Sequence, residues 1–253
     1  MVIIGGGVIG CSAAYHLAEL GWTDVVLLER DQLTSGTTWH AAGLVVSGGM
    51  TTETLAWMTK YSTDLYAALE RETGLSTGFK PVGYLQTASN PDRMHKLRRE
   101  ADFLRLMGIE REEVSPREVA ELWPHVDPRG VLGGFFTASE GRADPYNVAM
   151  SLAAGARARG VRIVQGAPVV GIEHDAGRVT GVVTEQGTIH AERVVNCAGM
   201  WARQVGAMAG VSVPLQAIEH AYLITEPIEG VSPDLPIFED PDRFAYYREE
   251  TGG

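Results

Sequence analysis

The chain has 253 residues, 45% of them hydrophobic and 21% charged, and a formal net charge of -11. This composition excludes fibrous and disordered classes, and an acidic field disfavours nucleic acid and anionic lipid as partners, leaving small molecules. No run approaches the roughly 18 apolar residues of a membrane span, and no basic region followed by an apolar stretch opens the chain, so a soluble, cytoplasmic protein is expected. Cys11 and Cys197 sit among small apolar residues without metal-ligand spacing, which predicts buried thiols in a reducing compartment and no metal site. The length suits one large α/β domain or two closely joined ones.

Met1 to Ile4 is an apolar run that leads into Gly5-Gly6-Gly7-Val8-Ile9-Gly10, and Cys11 to Leu20 is rich in helix formers before a closing Gly21. A second apolar run, Val25 to Leu28, ends at Glu29. Strand, glycine turn, helix and strand in this order form a dinucleotide cradle. Gly5 allows the tight turn, Gly7 lets a pyrophosphate approach the backbone, and Gly10 lets the helix pack on the strand. Glu29 lies near the offset of about 20 residues at which an acid accepts hydrogen bonds from the adenosine ribose, which disfavours a 2′-phosphate. The cradle by itself does not separate NAD from FAD. The hydroxyl-rich stretch Thr34 to Leu44 that follows suits a loop that wraps a phosphate and runs beside a flat ring.

Further along, Glu53 to Glu72 reads as an amphipathic helix with Leu55, Met58, Leu65, Tyr66 and Leu69 in the core. A strand is expected within 79–88 and a charged helix over 91–107. A short helix should start at Ser115-Pro116, a strand should cover Val131 to Phe136, and Asp144-Pro145 should cap a helix running to Arg159. Val161 to Val164 reads as a strand. Asp175-Ala176-Gly177 and Glu185-Gln186-Gly187 mark the turns of a small antiparallel meander from Val169, and Arg193 to Cys197 reads as a buried strand ending at Ala198-Gly199. The alternation in Ile218-Glu219-His220-Ala221-Tyr222-Leu223-Ile224-Thr225 predicts a further strand.

These motifs resemble the FAD-dependent superfamily of the D-amino-acid and glycine oxidases, and within it the dimethylglycine and sarcosine dehydrogenases and oxidases. The resemblance spans nearly the whole chain and is most specific over Ser35 to Leu44, where Thr38-Trp39-His40-Ala41-Ala42-Gly43 is spelled like the dehydrogenase branch. It implies an α/β fold. A Rossmann-like FAD-binding domain (1–78 and 142–213) would be interleaved with an α+β substrate domain with a mixed or antiparallel sheet (79–141 and 214–253), in a chain that is part of a longer protein. It implies that FAD is held by Gly5, Gly7, Val8, Ile9, Gly10, Glu29, Arg30, Ser35, Gly36, Thr37, Thr38, His40, Ala41, Ala42, Gly43 and Leu44, with His40 joined covalently to the flavin 8α-methyl group. Val169 would meet the adenine through its backbone, and Ala198, Gly199 and Trp201 would close over the dinucleotide.

The same resemblance implies oxidation of an N-methylated glycine. His220 would be the base or positioning group, Tyr246 its partner, and Tyr247 and Arg248 would lie with the substrate, Arg248 either forking onto a carboxylate or forming a rim ion pair. The electron acceptor would be oxygen or an electron-transfer flavoprotein, and tetrahydrofolate would enter only through a further C-terminal domain. Two alternatives stay open: an FAD enzyme of another amine or a 2-hydroxy acid, and a non-catalytic module that holds FAD or its ADP half.

Overall fold

The computed structural model describes residues 1–250, so the last three positions of the expected substrate domain lie outside the described residues. The chain divides into two compact units, one of Met1–Ala42, Ala68–Thr77 and Asp144–His220, the other of Gly43–Ala67, Gly78–Ala143 and Ala221–Gly253. Gly43–Ala67 therefore belongs to the second unit rather than to the first stretch of the expected FAD-binding domain.

The first unit is built on a parallel sheet in the order Val194–Asn196, Val2–Ile4, Val26–Leu28, Arg162–Val164. The two central strands are buried throughout, which is why they read as unbroken apolar runs rather than alternating ones. Val2, Ile4, Val26 and Leu28 face a core shared with Val182, Ala191 and Val205. The meander of Val169–Asp175, Arg178–Thr184 and Gly187–His190 contributes Val169, Ile172 and Ile189 to that core. Its first turn has Ala176 at φ 47° and Gly177 at φ 77°, the two left-handed residues that a tight hairpin of matching twist requires.

On the alternate face Ile3 and Leu27 are fully buried, and the helices Val8–Glu19 and Pro145–Ala158 pack together. Gly155 permits their approach, because a Cβ there would stand 2.8 Å from the Tyr15 ring. The Tyr15 hydroxyl and the Arg159 guanidinium, at 2.8 and 2.5 Å, both donate to the Glu72 carboxylate. Burial works against charging Glu72, but these donors outweigh it and hold the carboxyl below its usual range.

The second unit carries a mixed sheet in the order Ala245–Tyr247, Ile237–Asp240, Tyr84–Ala88, Gly133–Thr137, Glu112–Val114, in which only Ile237–Asp240 and Tyr84–Ala88 run parallel. Helices Pro91–Leu106 and Pro116–Leu122 cover it through Met94, Leu97 and Ala101 and through Val119. Ser115 and Glu118 form the reciprocal capping box that the Ser-Pro start predicts. Leu44–Val45 pairs with Gly141–Arg142 in a separate short ribbon.

Two expectations are corrected. The segment 218–225 is not a strand: every residue from Gln216 to Gly230 is exposed without regular structure, and among the described residues nothing pairs with it. Alternation supplies two faces, but a strand also needs a neighbour to take its backbone hydrogen bonds. Within the Glu53–Thr73 helix Leu69 is buried, whereas Leu55 and Met58 are 45% and 51% exposed, so only part of the expected apolar stripe is core. No helix of the described residues is long and apolar enough to cross a membrane.

Two substitutions test this packing. A Cβ on Gly10 would run into the Gly5 carbonyl oxygen, so Gly10→Ala should lower stability by about 1–3 kcal/mol or more, as overpacking against rigid backbone does. Asp144 accepts the Asn147 N–H at 3.0 Å as the cap of its helix, and Asp144→Ala should cost about 1 kcal/mol. Urea midpoints, with the slope unchanged for Asp144→Ala, check both.

Candidate flavin-binding site

In the first unit the carboxyl ends of the parallel strands lie at one edge of the sheet, where open α/β sheets take ligands. The Gly5 turn leaves the Val2–Ile4 strand at φ 111°, and a Cβ there would strike the Cys197 carbonyl and stand 3.1 Å from the Ala198 Cα. The turns after two neighbouring strands thus touch through bare backbone. Gly6 donates its N–H to Glu29 Oε2 at 2.7 Å, and Glu29 Oε1 accepts the Asp31 N–H at 3.0 Å. The end of the third strand is tied to the glycine turn by the same carboxylate expected to meet the ribose. Glu29 retains 9% exposure, and each of its oxygens has a second lone pair for a ligand hydroxyl.

The Ser/Thr loop closes the edge. Val8 donates its N–H to Thr38 Oγ1 at 3.0 Å, and a Cβ on Gly7 would lie 2.8 Å from that hydroxyl. Thr38 is therefore a fixed wall of the turn, standing in for the side-chain cap that Gly7 cannot supply. A Cβ on Gly199 would lie 3.7 Å from Thr37 Oγ1, one on Gly36 would lie 3.2 Å from the Trp201 ring, and the Arg30 guanidinium stacks 4.0 Å above that ring. Gly5, Gly7, Val8, Glu29, Arg30, Gly36, Thr37, Thr38, Ala198, Gly199 and Trp201 are thus brought together. Ile9 is an exposed residue of the first helical turn, and Ser35 donates its N–H to the Gln32 carbonyl at 3.2 Å. Val169 lies at the start of the meander, packed on the core that also takes Ala198.

His40 ends a short 3-10 turn, Thr38–His40, exposed and tilted against Trp39 with ring centroids 3.6 Å apart and the ring planes at 32°. Ala41 follows it in extended backbone, and Ala42 is the last residue of this unit. Gly43, at φ 71°, and Leu44 belong to the second unit, where the Gly43 carbonyl accepts the Ala143 N–H at 2.8 Å. Two further residues that hold the turn are not among the individually expected cofactor residues. Gln165 accepts the Leu33 N–H at 2.7 Å through its side chain, and Thr34, only 3% exposed and at φ 70°, donates its N–H to Gly6.

The remaining expected residues divide between the units. His220 is exposed at the end of the first. In the second, Tyr246 and Tyr247, half exposed, stand opposite Glu239 and Phe238, with the Tyr247 and Phe238 rings 5.9 Å apart. The Arg248 guanidinium is paired with Glu250 and donates to the Glu249 carbonyl at 3.3 Å, the ion-pair arrangement rather than an uncommitted fork. Cys11 is buried as expected, whereas Cys197 is only partly buried; burial pushes the Cys11 thiol up to about 12 and raises Cys197 as well.

These residues fit an adenine dinucleotide. The helix that follows the turn has no side-chain cap from Gly7 and no acid in its first turn, so its positive end is not neutralised by its own sequence. Glu29 keeps acceptor capacity at the sheet edge, and the glycines keep the turn free of Cβ atoms. Because the Glu29 carboxylate accepts the Gly6 and Asp31 N–H groups, Glu29→Ala should cost about 1.5–3 kcal/mol of folding stability, the range for charged hydrogen bonds. It should also weaken FAD binding by about tenfold or more. Urea unfolding and equilibrium titration with FAD measure the two losses separately.

All 253 residues match the family model described as FAD dependent oxidoreductase. Sarcosine dehydrogenase of Homo sapiens is 42% identical over 98% of the chain, and dimethylglycine dehydrogenase of Rattus norvegicus is 38% identical over all of it. The chain spans 28% and 30% of those two proteins, under a third of their length. L-proline dehydrogenase from P. horikoshii shares the fold with a TM-score of 0.85 at 25% identity, covering the whole chain and 67% of that protein. This chain belongs to the FAD dependent oxidoreductase family.

Proposed function

We propose that the chain is the FAD-binding part of an oxidoreductase that oxidises an N-methylated glycine of the dimethylglycine or sarcosine type. The observation that carries this reading is the identity of 38–42% with the dehydrogenases of those two amines across nearly every residue. The glycine turn joined to Glu29 supports the cofactor side of it.

Bound FAD would supply a hydride acceptor for the N-methyl carbon. Hydride loss requires a free nitrogen lone pair, so the protein must hold the amine unprotonated. An imidazole and a phenol suit that task near neutral pH, which favours His220 as base or positioning group and Tyr246 as its partner. Arg248, already neutralised by Glu250, acts on a substrate carboxylate only by exchanging that partner, and Tyr247 supplies an apolar wall. The exposure of His40 leaves its imidazole accessible for attachment to the flavin. Oxygen or an electron-transfer flavoprotein is the proposed acceptor, and folate belongs to any further domain.

A second reading is favoured by the exposed segment from Gln216 to Gly230. If His220 is positioned only when that segment gains a pairing partner, the chain by itself holds FAD without turnover.

Anaerobic mixing with sarcosine, dimethylglycine and a 2-hydroxy acid tests both readings. Bleaching of the flavin band by the N-methylglycines alone is the expected result, and bleaching by the hydroxy acid alone contradicts it. Bound flavin that no substrate bleaches supports the second reading. Acid precipitation should carry the yellow colour into the pellet and should fail to do so in His40→Ala; full release from the unaltered protein removes the covalent link.

A further inference from the structure

In the second unit, strand register brings Tyr246 and Glu239 together. They are directly opposed across the antiparallel strands Ala245–Tyr247 and Ile237–Asp240, so their side chains leave the same face with Cβ atoms about 4.5–5.5 Å apart. The next opposed pair, Phe238 and Tyr247, follows the same alternation, with its rings 5.9 Å apart on the other face. Glu239 is the one residue of its strand that is not buried.

The Glu239 carboxylate is held at one oxygen and open at the other. Its Oε2 accepts the Tyr84 hydroxyl and Gln86 Nε2, the latter at 3.3 Å. Both donors are themselves fixed. Tyr84 is 1% exposed, with Gly48 so close that a Cβ there would collide with the phenol oxygen, and Gln86 Oε1 accepts the Arg111 guanidinium at 3.0 Å. Burial and the Glu239 charge raise the Tyr84 phenol pKa, which keeps it a donor. Oε1 of Glu239 takes no hydrogen bond from any described residue and is not among the oxygens sealed from solvent. The Tyr246 hydroxyl, on a half-exposed side chain, likewise has no partner among the described residues. Arg111 is ion-paired with Glu100 at 3.8 Å and is linked to Glu239 only through Gln86. One face of the sheet thus presents two adjacent oxygen acceptors, a fixed carboxylate oxygen and a phenol.

We propose that Glu239 Oε1 and the Tyr246 hydroxyl are the two acceptors for the substrate nitrogen, and that they select a secondary N-methyl amine of the sarcosine type over a tertiary one of the dimethylglycine type. The assignment rests on the amine-oxidising reading of the chain and sharpens its substrate. A secondary ammonium has two N–H donors, one for each acceptor. Deprotonation, which hydride loss requires, removes one and frees the lone pair, while the other N–H stays on Glu239. A tertiary ammonium has a single N–H and gives it up at the same step, so Glu239 Oε1 then faces a methyl group. A carboxylate oxygen left without its donor forfeits a charge-assisted hydrogen bond, and discrimination of about tenfold or more follows. Tyr84 and Gln86 are positioning residues: they fix which oxygen of Glu239 is open.

Flavin reduction by the full, FAD-loaded chain gives the first test. Sarcosine should exceed dimethylglycine in kcat/KM by about tenfold or more, and Glu239→Gln should bring the ratio near one. In that variant the amide oxygen takes the Tyr84 and Gln86 donors, which turns the NH2 group toward the ligand. A ratio near or below one in the unaltered chain overturns the proposal, as does a preference that survives in Glu239→Gln; damage to the fold would lower both amines alike and not move the ratio. Ligand-observed NMR titration with dimethylammonium and trimethylammonium chloride reads the same selectivity without turnover. Flavin that neither amine bleaches contradicts the amine-oxidising reading and leaves this second test in place. Dimethylammonium should bind severalfold more tightly than trimethylammonium, and Glu239→Gln should abolish the difference; equal binding in the unaltered chain overturns the proposal. If Glu239→Gln does not fold, Tyr246→Phe removes the second acceptor and should narrow the dimethylammonium preference severalfold, and an unchanged preference overturns it.

Discussion

The first unit depends on an approach of backbone to backbone that only glycine permits. Gly10 rests on the Gly5 carbonyl and Gly5 on the Cys197 carbonyl, with no room for a Cβ in either place. This closeness sets the helix Val8–Glu19 directly above the end of its strand and aims its positive end at the sheet edge. Glu29 and Thr38 then lock the turn from two sides, one accepting the Gly6 N–H and the other the Val8 N–H. Both ties are made within the chain, so ordering the turn would add little to the cost of binding a ligand there.

The second unit follows a different principle. Its sheet carries polar side chains into the interior and satisfies most of them in pairs: Tyr84 with Glu239, Gln86 with Arg111 and Glu239, Arg142 with Glu249. A core of this kind specifies register, because a slip by one residue would strand a charge.

The cradle was legible in the sequence because each of its parts has a local signature. The glycine spacing, the unbroken apolar strands and an acid at the right offset are all written within the first 30 residues, and proline after Ser115 or Asp144 marks a cap without tertiary knowledge. The Asp175-Ala176-Gly177 turn was legible for the same reason. What escaped depends on distant partners. Glu112–Val114 is three residues long with two glutamates and becomes a strand only by pairing with Gly133–Thr137. The alternation from Ile218 to Thr225 has the pattern of a strand but, among the described residues, no neighbour to pair with, and Gln165 reaches Leu33 from 132 residues away.

A crystal structure of the chain grown with FAD tests the central claim most directly. The pyrophosphate is predicted over the Gly7–Gly10 turn, with an adenosine ribose hydroxyl on Glu29 and the adenine end near Val169. A nucleotide bound elsewhere, or a sheet edge filled by the side chains of residues 34–40 with no density for FAD at saturating concentration, would contradict it.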